Sequence, residues 1–467
     1  MKLKCFWLVM LFCFAAHADV YIKITGANVK RAKLALGQLH PLPGATATNP
    51  NLAKQIRAQI ISDLEFTNLF DFLVESTFAS LDTSADLYNV RYDEMAELGA
   101  SFLLKIGYKL EAGKLFMEAI LHDIVGKKKI FGTRYQYPAA QFHRLVHAMS
   151  EDVLKELTGE RGLFFSRVSM VCWDRRGKSP DKEVYLVDSD GRNLLKLTND
   201  RTVSLSPSWS PDGKYLTYAQ FEYRMFPKGK QKRIVLKKHN LQTGERKILS
   251  AKEGMNSGAT WMPNGKAIAA TMSFTGRPEI YLIDPNNPSE PEPLSRNIQW
   301  RKMAGEGFQA SQLSLLFEVE PSFSPDGSQM VISSRRTGHA MIYTVDMATK
   351  VATQLTFAGQ YNATPAWSPK GDKIIFAAQR TGEGNFDLYL IDPDGNNLAR
   401  VTQGDRPGRR VNSENPSWAP TGRHFAYANS EGGVYGVYVM TVDGKYRRKI
   451  SPPDKECKTP SWGPTEG

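Results

Sequence analysis

Cysteine is scarce in this chain: Cys5, Cys13, Cys172 and Cys457 are the only four among 467 residues. That number excludes a scaffold stapled together by disulfides, which a chain of this length would need in quantity. Long apolar runs are equally rare. The one candidate is Cys5–Ala16, preceded by Lys2 and Lys4 and followed by Ala16-His17-Ala18. It is short for a bilayer span and ends in a small-x-small site, so residues 1–18 read as a cleaved export signal ending at Ala18. The alternative is a membrane anchor. A lipidated Cys13 is disfavoured by Phe12 before it. No later stretch approaches about 18 apolar residues, so the mature chain is expected to be peripheral to the membrane and not integral.

Catalytic signatures are also missing. There is no Gly-x-Ser-x-Gly elbow, and no α/β stretch of hydrolase size lies outside the repeats described below. His143 and His147 stand four apart, but Arg144 occupies the place a metalloprotease gives to glutamate. They read as ordinary histidines, and no metal or cofactor is expected. Asp188-Ser189-Asp190-Gly191 and Asp392-Pro393-Asp394-Gly395 lack the later ligands of a calcium loop and read as hairpin turns. Acidic residues are in deficit, leaving a formal charge of +12, or +10 without Lys2 and Lys4. Lys228, Lys230, Lys232, Arg233, Lys237 and Lys238 form the densest cluster. They are either lysines guarding a hairpin edge or an anion-binding patch. Without a nucleic-acid-binding motif, nucleic acid is not an expected partner.

What the chain has is a repeat. Ser206-Pro207-Ser208-Trp209-Ser210-Pro211-Asp212-Gly213 returns around Trp261, Phe323, Trp367, Trp418 and Trp462, six copies spaced by 52, 62, 44, 51 and 44 residues. Proline presets φ for a turn, Asp or Asn bonds its own backbone, and glycine supplies positive φ. Short β-type runs follow, such as Lys214–Ala219 and Asp372–Ala377, then two further strands per unit. Four-stranded units of ~40–50 residues predict a six-bladed β-propeller over residues 164–467. The first unit lacks a turn phrase and the last lacks a second strand, so Arg167–Cys172 and residues 459–464 are expected to complete one blade and remove the open edges. Blade-two pairing sets Ala219, taken as the counterpart of Cys172, opposite Ser204–Leu205, and Ser204 is the counterpart of Cys457. The two sulfurs should then be neighbours, as a bridge or as two buried thiols.

Residues 19–163 read as a separate α/β domain of one sheet and two or three helices. Asn49-Pro50 starts a helix with Leu52, Ile56, Ile60 and Leu64 on one face. Phe102–Glu111, Lys114–Ile124 and Ile130–Tyr137 predict antiparallel strands turning at Ala112-Gly113 and Gly126-Lys127. A second helix carries Phe142, Leu145, Val146, Met149, Val153 and Leu157, with Gly159 as its cap.

The pairs ahead of the blade aromatics differ throughout: Leu205-Ser206, Ser257-Gly258, Val319-Glu320, Ala363-Thr364, Glu414-Asn415 and Lys458-Thr459. A lectin-like or small-ligand propeller would repeat a polar or aromatic constellation once per blade. The unevenness instead suits one asymmetric partner. A ligand-binding or peptidase-associated envelope propeller is the alternative.

The Pro-x-Trp-Ser-Pro-Asp-Gly repeats, the first hairpin restored from the C-terminus and the preceding α/β domain together resemble the TolB family, periplasmic component of the Tol-Pal system. Leu157–Phe164 and Gly99–Gly107 resemble that family's interdomain link and a strand of its first domain. The resemblance implies periplasmic placement and a role in outer-membrane integrity and constriction at division. It implies two partners: a Pal-like outer-membrane lipoprotein at the propeller mouth, and a TolA-like inner-membrane protein reached through Asp19-Val20-Tyr21-Ile22-Lys23-Ile24. That segment reads equally as the first strand of the sheet. Asn256 and Glu320 match mouth positions and Glu414 an acidic position in the sixth blade. Two departures stand out: Met255 where a histidine is expected, and the extra stretch Asn297–Phe317.

Overall fold

The computed structural model describes residues 22, 31–45, 49–82, 84–175, 181–226, 229–300, 316–379, 382, 384–403, 405–406 and 409–465. The export signal therefore lies outside the described residues, as do Asp19, Val20, Tyr21, Lys23 and Ile24. The chain separates into two compact units on either side of Arg161–Gly162.

The first unit is a five-stranded sheet with helices. Its elements are β1 (Ala32–Pro41), α1 (Pro50–Phe66), β2 (Phe70–Phe72), α2 (Glu75–Phe78), α3 (Tyr92–Glu97), β3 (Phe102–Glu111), β4 (Lys114–Asp123), β5 (Lys128–Pro138) and α4 (Phe142–Thr158). Strand order is β2-β1-β3-β4-β5, with β1 parallel to both neighbours and β3–β5 antiparallel. Asn49 caps α1 by accepting from Leu52 N at 3.0 Å, and Gly159 ends α4 at φ +74°. Ile56, Ile60 and Leu64 of α1 and Leu145, Val146, Met149, Val153 and Leu157 of α4 are buried. His143 and His147 turn out to be hinge pins between these helices: they bond Gln59 Oε1 at 3.1 Å and Asp63 Oδ2 at 2.8 Å. Ile22 is not in a strand, and among the described residues the first strand of the sheet is β1. Ile22 is buried and donates its N–H to Leu157 O at 2.8 Å.

The second unit is a six-bladed propeller. Blade one joins the C-terminal strand Lys455–Thr465 to Ser166–Asp174, Glu183–Asp188 and Leu195–Lys196. The ends of the propeller segment thus meet in one sheet. Blade two spans Ser204–Ser250, blade three Asn256–Pro293, blade four Glu318–Gln354, blade five Tyr361–Arg400 and blade six Ser413–Lys449. Each is an antiparallel meander, and Gln299–Trp300 adds a parallel edge to blade four. In five blades the hydroxyl closing the fourth strand accepts the N–H of the third strand's early residue, as Thr198 does from Val184, Ser295 from Ile280 and Thr402 from Leu388, each at 2.9 Å. Five of the six repeat aromatics, Trp261, Phe323, Trp367, Trp418 and Trp462, are buried, and Trp209 is half-buried, each removing apolar surface from water.

Cys172 and Cys457 face each other in blade one and are joined by a disulfide, with Cα atoms 4.2 Å apart. The pairing corrects one detail of the sequence register. Ser204 matches Cys457 as expected, but its partner is Gln220, so Cys172 corresponds to Gln220 and not to Ala219. The offset lies in the second strand: Val168 pairs with Trp462 as Leu216 pairs with Trp209, so Arg167 corresponds to Tyr215 and not to Lys214.

Candidate functional site

Every innermost strand breaks register at the same place. In blade four, Val319 faces Ser333 and Ser322 faces Val331, leaving Glu320 and Pro321 opposite Ile332 alone. The equivalent break occurs in all six blades. At each one the first extra residue is left-handed: Ser206 (φ +49°), Gly258 (+59°), Glu320 (+58°), Thr364 (+47°), Asn415 (+53°) and Thr459 (+47°). Glycine is the usual occupant of such a bulge, and for other residues the conformation costs on the order of 1–3 kcal/mol. Proline follows in five of the six, so αR is disfavoured there as well. The channel wall is therefore one backbone motif repeated six times, bearing serine, glycine, glutamate, asparagine and, twice, threonine at the left-handed position. Beyond it, toward the Pro-x-Gly turns, the channel opens into a cavity of about 550 Å³ lined by prolines, small hydroxyl residues and the blade aromatics.

Asn256, Glu320 and Glu414 occupy three adjacent register levels at the start of the innermost strands. Asn256 is fully buried. Its Oδ1 accepts from Ser250 Oγ at 2.6 Å, and its Nδ2 donates to Lys252 O at 2.8 Å and Ile234 O at 3.1 Å. Any part it takes in partner binding acts through the loop it holds, not by contact. Asn362 does the same in blade five, donating to Ala358 O at 3.1 Å. Truncation strands a buried hydroxyl and two carbonyls, so Asn256→Ala is expected to cost about 2–4 kcal/mol, read as a lower urea midpoint. An unchanged midpoint would show that the loop needs no anchor.

Glu320 sits at the bulge of blade four. One carboxylate oxygen accepts the N–H of Thr364, the bulge residue of blade five, at 2.6 Å. Burial pushes its carboxyl above the usual carboxylate range, and this hydrogen bond only partly offsets the shift. Glu414 faces a cation instead: Lys458 Nζ lies 3.1 Å from its Oε2 and 3.3 Å from the centroid of the Tyr435 ring. Around this end of the channel Met255, Phe357 and Tyr361 are exposed by 37, 66 and 40 %. Trp300, entering the extra stretch, is held by Arg336 stacked 4.0 Å over its ring and by Tyr343 edge-on at 5.2 Å. Residues 301–315 lie outside the described residues.

Tyr435 and Phe357 escaped the sequence reading, which had Lys458 only as one of the uneven pairs ahead of the blade aromatics. Phe357 had a signal: it follows the hydroxyl that closes its blade, where other blades carry Asn199, Ala251, Arg296, Gln403 and Pro452. Among the described residues no group of three or more His, Cys, Asp or Glu could hold a metal ion, and no helix is long and apolar enough to cross a membrane.

Two family profiles match the chain: "TolB amino-terminal domain" over residues 20–130, and "TolB beta propeller domain" over 154–300 and 302–466. A TolB homolog of Chlorobium luteolum is 29 % identical over 463 residues, 97 % of this chain and 96 % of its own length. A TolB homolog of Chlorobium chlorochromatii is 32 % identical over 62 % of this chain. The Tol-Pal system protein TolB of Desulfosudis oleivorans is 30 % identical over 59 % of it. The matches span 59 % and 61 % of the lengths of these last two relatives. The crystal structure of TolB from Acinetobacter baumannii superposes with a TM-score of 0.72 at 22 % identity, covering 95 % of this chain and 99 % of that one, which establishes a shared fold. Both domain profiles, in the order and at the places where the two compact units lie, make this chain a member of the TolB family of the Tol-Pal system.

Proposed function

We propose that this protein is a periplasmic, non-enzymatic docking component. A Pal-like outer-membrane lipoprotein binds the propeller mouth, and a TolA-like inner-membrane protein is reached through residues 19–24. The observation that supports the mouth is the sixfold bulge whose side chain changes from blade to blade, with threonine alone recurring. It is a rigid ring of equal backbone positions on which only blade four places an acid at the bulge itself. One asymmetric protein surface fits such a ring, whereas six equal small-ligand sites do not. Buried aromatic and charged anchors ringed by near-neutral contacts are the usual energetic pattern of such interfaces. Exposed Met255, Phe357 and Tyr361 supply apolar area beside the charges.

The N-terminal segment acts as a switch. It either packs on its own domain, where Ile22 is bonded to the end of α4, or is released to the inner-membrane partner. Occupancy of the mouth biases that choice, and by linkage the reverse also holds. The reading connects the two membranes and so serves outer-membrane integrity and constriction at division.

The test is titration with the soluble domain of the Pal-like lipoprotein. Glu320→Gln keeps an acceptor for Thr364 N and should preserve the fold. Glu320→Lys and Glu414→Lys, the latter placing a second cation beside Lys458, should each weaken binding by about 10-fold or more. Unchanged affinity in both charge reversals would remove the mouth assignment. Deleting residues 19–24 should abolish TolA capture and leave the Pal-like partner bound.

A further inference from the structure

The seam between blades two and three carries a cation where the other blades carry none. Thr217, one step beyond the residue that pairs with Trp209, has Lys238 as its third-strand partner. The same register position holds Leu186, Leu282, Thr344, Leu390 and Val439 in the other five blades. Four of these are aliphatic, and Leu390 packs in one core cluster with Trp418 of the following blade. Lys238 is buried all the same. Tyr215 shares its sheet face, two residues from Thr217. The residues just ahead of the corresponding second-strand partners are Arg167, Ala267, Gln329, Lys373 and His424, so Tyr215 is the one phenol among them. Of the basic cluster seen in the sequence, Arg233 and Lys237 are matched by Glu222 at 2.9 and 2.8 Å, and Lys228 lies outside the described residues.

A cavity of about 480 Å³ lies between the two blades, a volume within the range of ligand pockets. Asp212, Tyr215 and Lys238 line it from blade two, and Trp261, Asn264 and Pro285 from blade three. The Tyr215 and Trp261 rings are near-parallel, 19° apart in plane with centroids 6.3 Å apart. Lys238 Nζ lies 5.0 Å from the Tyr215 centroid and donates to Pro285 O. That bond uses one of three ammonium hydrogens, and among the described residues no carboxylate forms an ion pair with it. Trp261 shows a second departure. The indole N–H groups of Trp209, Trp367, Trp418 and Trp462 all find acceptors, at 2.8 to 3.2 Å. That of Trp261 has none among the described residues, although the side chain is buried. Buried donors short of acceptors cost stability, and this seam keeps two of them around one cavity.

We propose that this cavity binds a neutral saccharide unit, a pyranose ring with free hydroxyls. Its lining sets donors and acceptors side by side. Lys238 and the Trp261 indole can only donate, whereas the Asp212 carboxylate and the Pro285 carbonyl can only accept. A hydroxyl does both, so a polyhydroxylated ring satisfies the mixture. An anion suits it less well. It would meet Lys238 but stand against Asp212. Burial acts to raise the pKa of that carboxyl, but the bonds from Ser210 and Lys214 and the Lys214 charge hold it below its ordinary range, so it stays ionised. The half-buried Tyr215 ring, near-parallel to Trp261, offers a π face to the polarised C–H groups on one side of a pyranose. The site occurs on one seam only, so it is a single site and not one of six, and it does not rest on the reading of the mouth.

The experiment is calorimetric titration of the full mature chain with neutral trisaccharides of glucose, galactose and N-acetylglucosamine, and with succinate as the anionic probe. At least one trisaccharide should bind with a dissociation constant of about 1 mM or tighter, and succinate should not bind. Lys238→Leu installs the residue found at Leu186, Leu282 and Leu390. It should weaken saccharide binding by about 10-fold or more while the melting temperature holds or rises. Tyr215→Ala, at a half-buried position, should weaken it by about fivefold through the lost ring face. Both variants should keep wild-type affinity for the Pal-like domain, which separates this result from failure at the mouth. Three outcomes would overturn the proposal. No trisaccharide binds at up to about 10 mM. Or Lys238→Leu binds saccharide as the wild type does, which would make the lysine a strut for Pro285. Or succinate binds in place of the saccharides and more tightly to Asp212→Asn, which would make the cavity an anion site.

Discussion

Deletion of residues 455–467 is expected to destroy the cooperative melting of the propeller and to lower its transition by more than about 15 °C. The closing strand pairs with Ser166–Asp174 at seven register positions. It also ties three blades together. Trp462 donates its Nε1–H to Ser166 Oγ at 2.8 Å within blade one, and its backbone N–H to Ser417 Oγ of blade six at 2.9 Å. Ser461 O accepts the indole N–H of Trp209 in blade two at 3.0 Å. Without the strand, Ser166–Asp174 becomes an open edge with unpaired backbone groups, and the Trp209 indole N–H and the Ser417 hydroxyl each lose an interblade partner. The disulfide alone cannot account for this much. Replacing Cys172 and Cys457 by serine frees a loop of separation 285 and should cost about 3–5 kcal/mol in the chain-entropy account, with one sharp transition retained. Scanning calorimetry on the three proteins separates the cases. A truncated chain that melts as sharply and as hot as the intact one would show that the ring does not depend on its seam.

The seam was legible because proline, aromatic and glycine recur in a fixed order, and because the first copy lacks what the last supplies. The strands from Phe102 to Pro138 were legible for a similar reason: Ala112-Gly113 and Lys127 adopt positive φ at tight turns. The bulges were not. Ser206, Glu320, Thr364, Asn415 and Thr459 share a left-handed backbone but no one side-chain type that marks it, because the pairing that resumes before and after the bulge imposes the conformation, not local preference. Strand β1 was missed because a central parallel strand is covered on both faces and shows no alternation; Leu34, Ala35 and Leu36 are all buried. Asn256 shows the limit for sites. An asparagine at a channel mouth and one holding three backbone or hydroxyl partners are the same letter, and only coordinates tell which the chain has built.

Beneath the mouth, a buried carboxylate should make this propeller sensitive to acid. Glu279 opens the third strand of blade three with its side chain 1 % exposed. Arg277 and Arg296 reach it at 2.9 and 3.0 Å, and Thr275 Oγ1 and Tyr281 OH donate at 2.8 and 3.0 Å. Burial acts to raise the pKa of this carboxyl, but the bonds from Arg296, Thr275, Arg277 and Tyr281 outweigh it and hold it at about 2, below its ordinary 4.5. A depressed folded pKa means that the ionised carboxylate stabilises the native state fully above about pH 4.5. That contribution is then lost as the pH falls from there through about 2. The shift corresponds to roughly 3 kcal/mol. Glu279→Gln leaves two guanidinium groups without their shared anion and should cost about 3–5 kcal/mol at neutral pH, since removing one member of a buried pair strands the other. Urea midpoints of wild type and Glu279→Gln, followed from pH 7 to pH 3, should converge as the wild type loses what the variant never had. A gap between the two curves that stayed constant over that range would mean that the carboxylate's charge contributes nothing, and that the cluster serves only to fill space behind the Ser273–Pro278 loop.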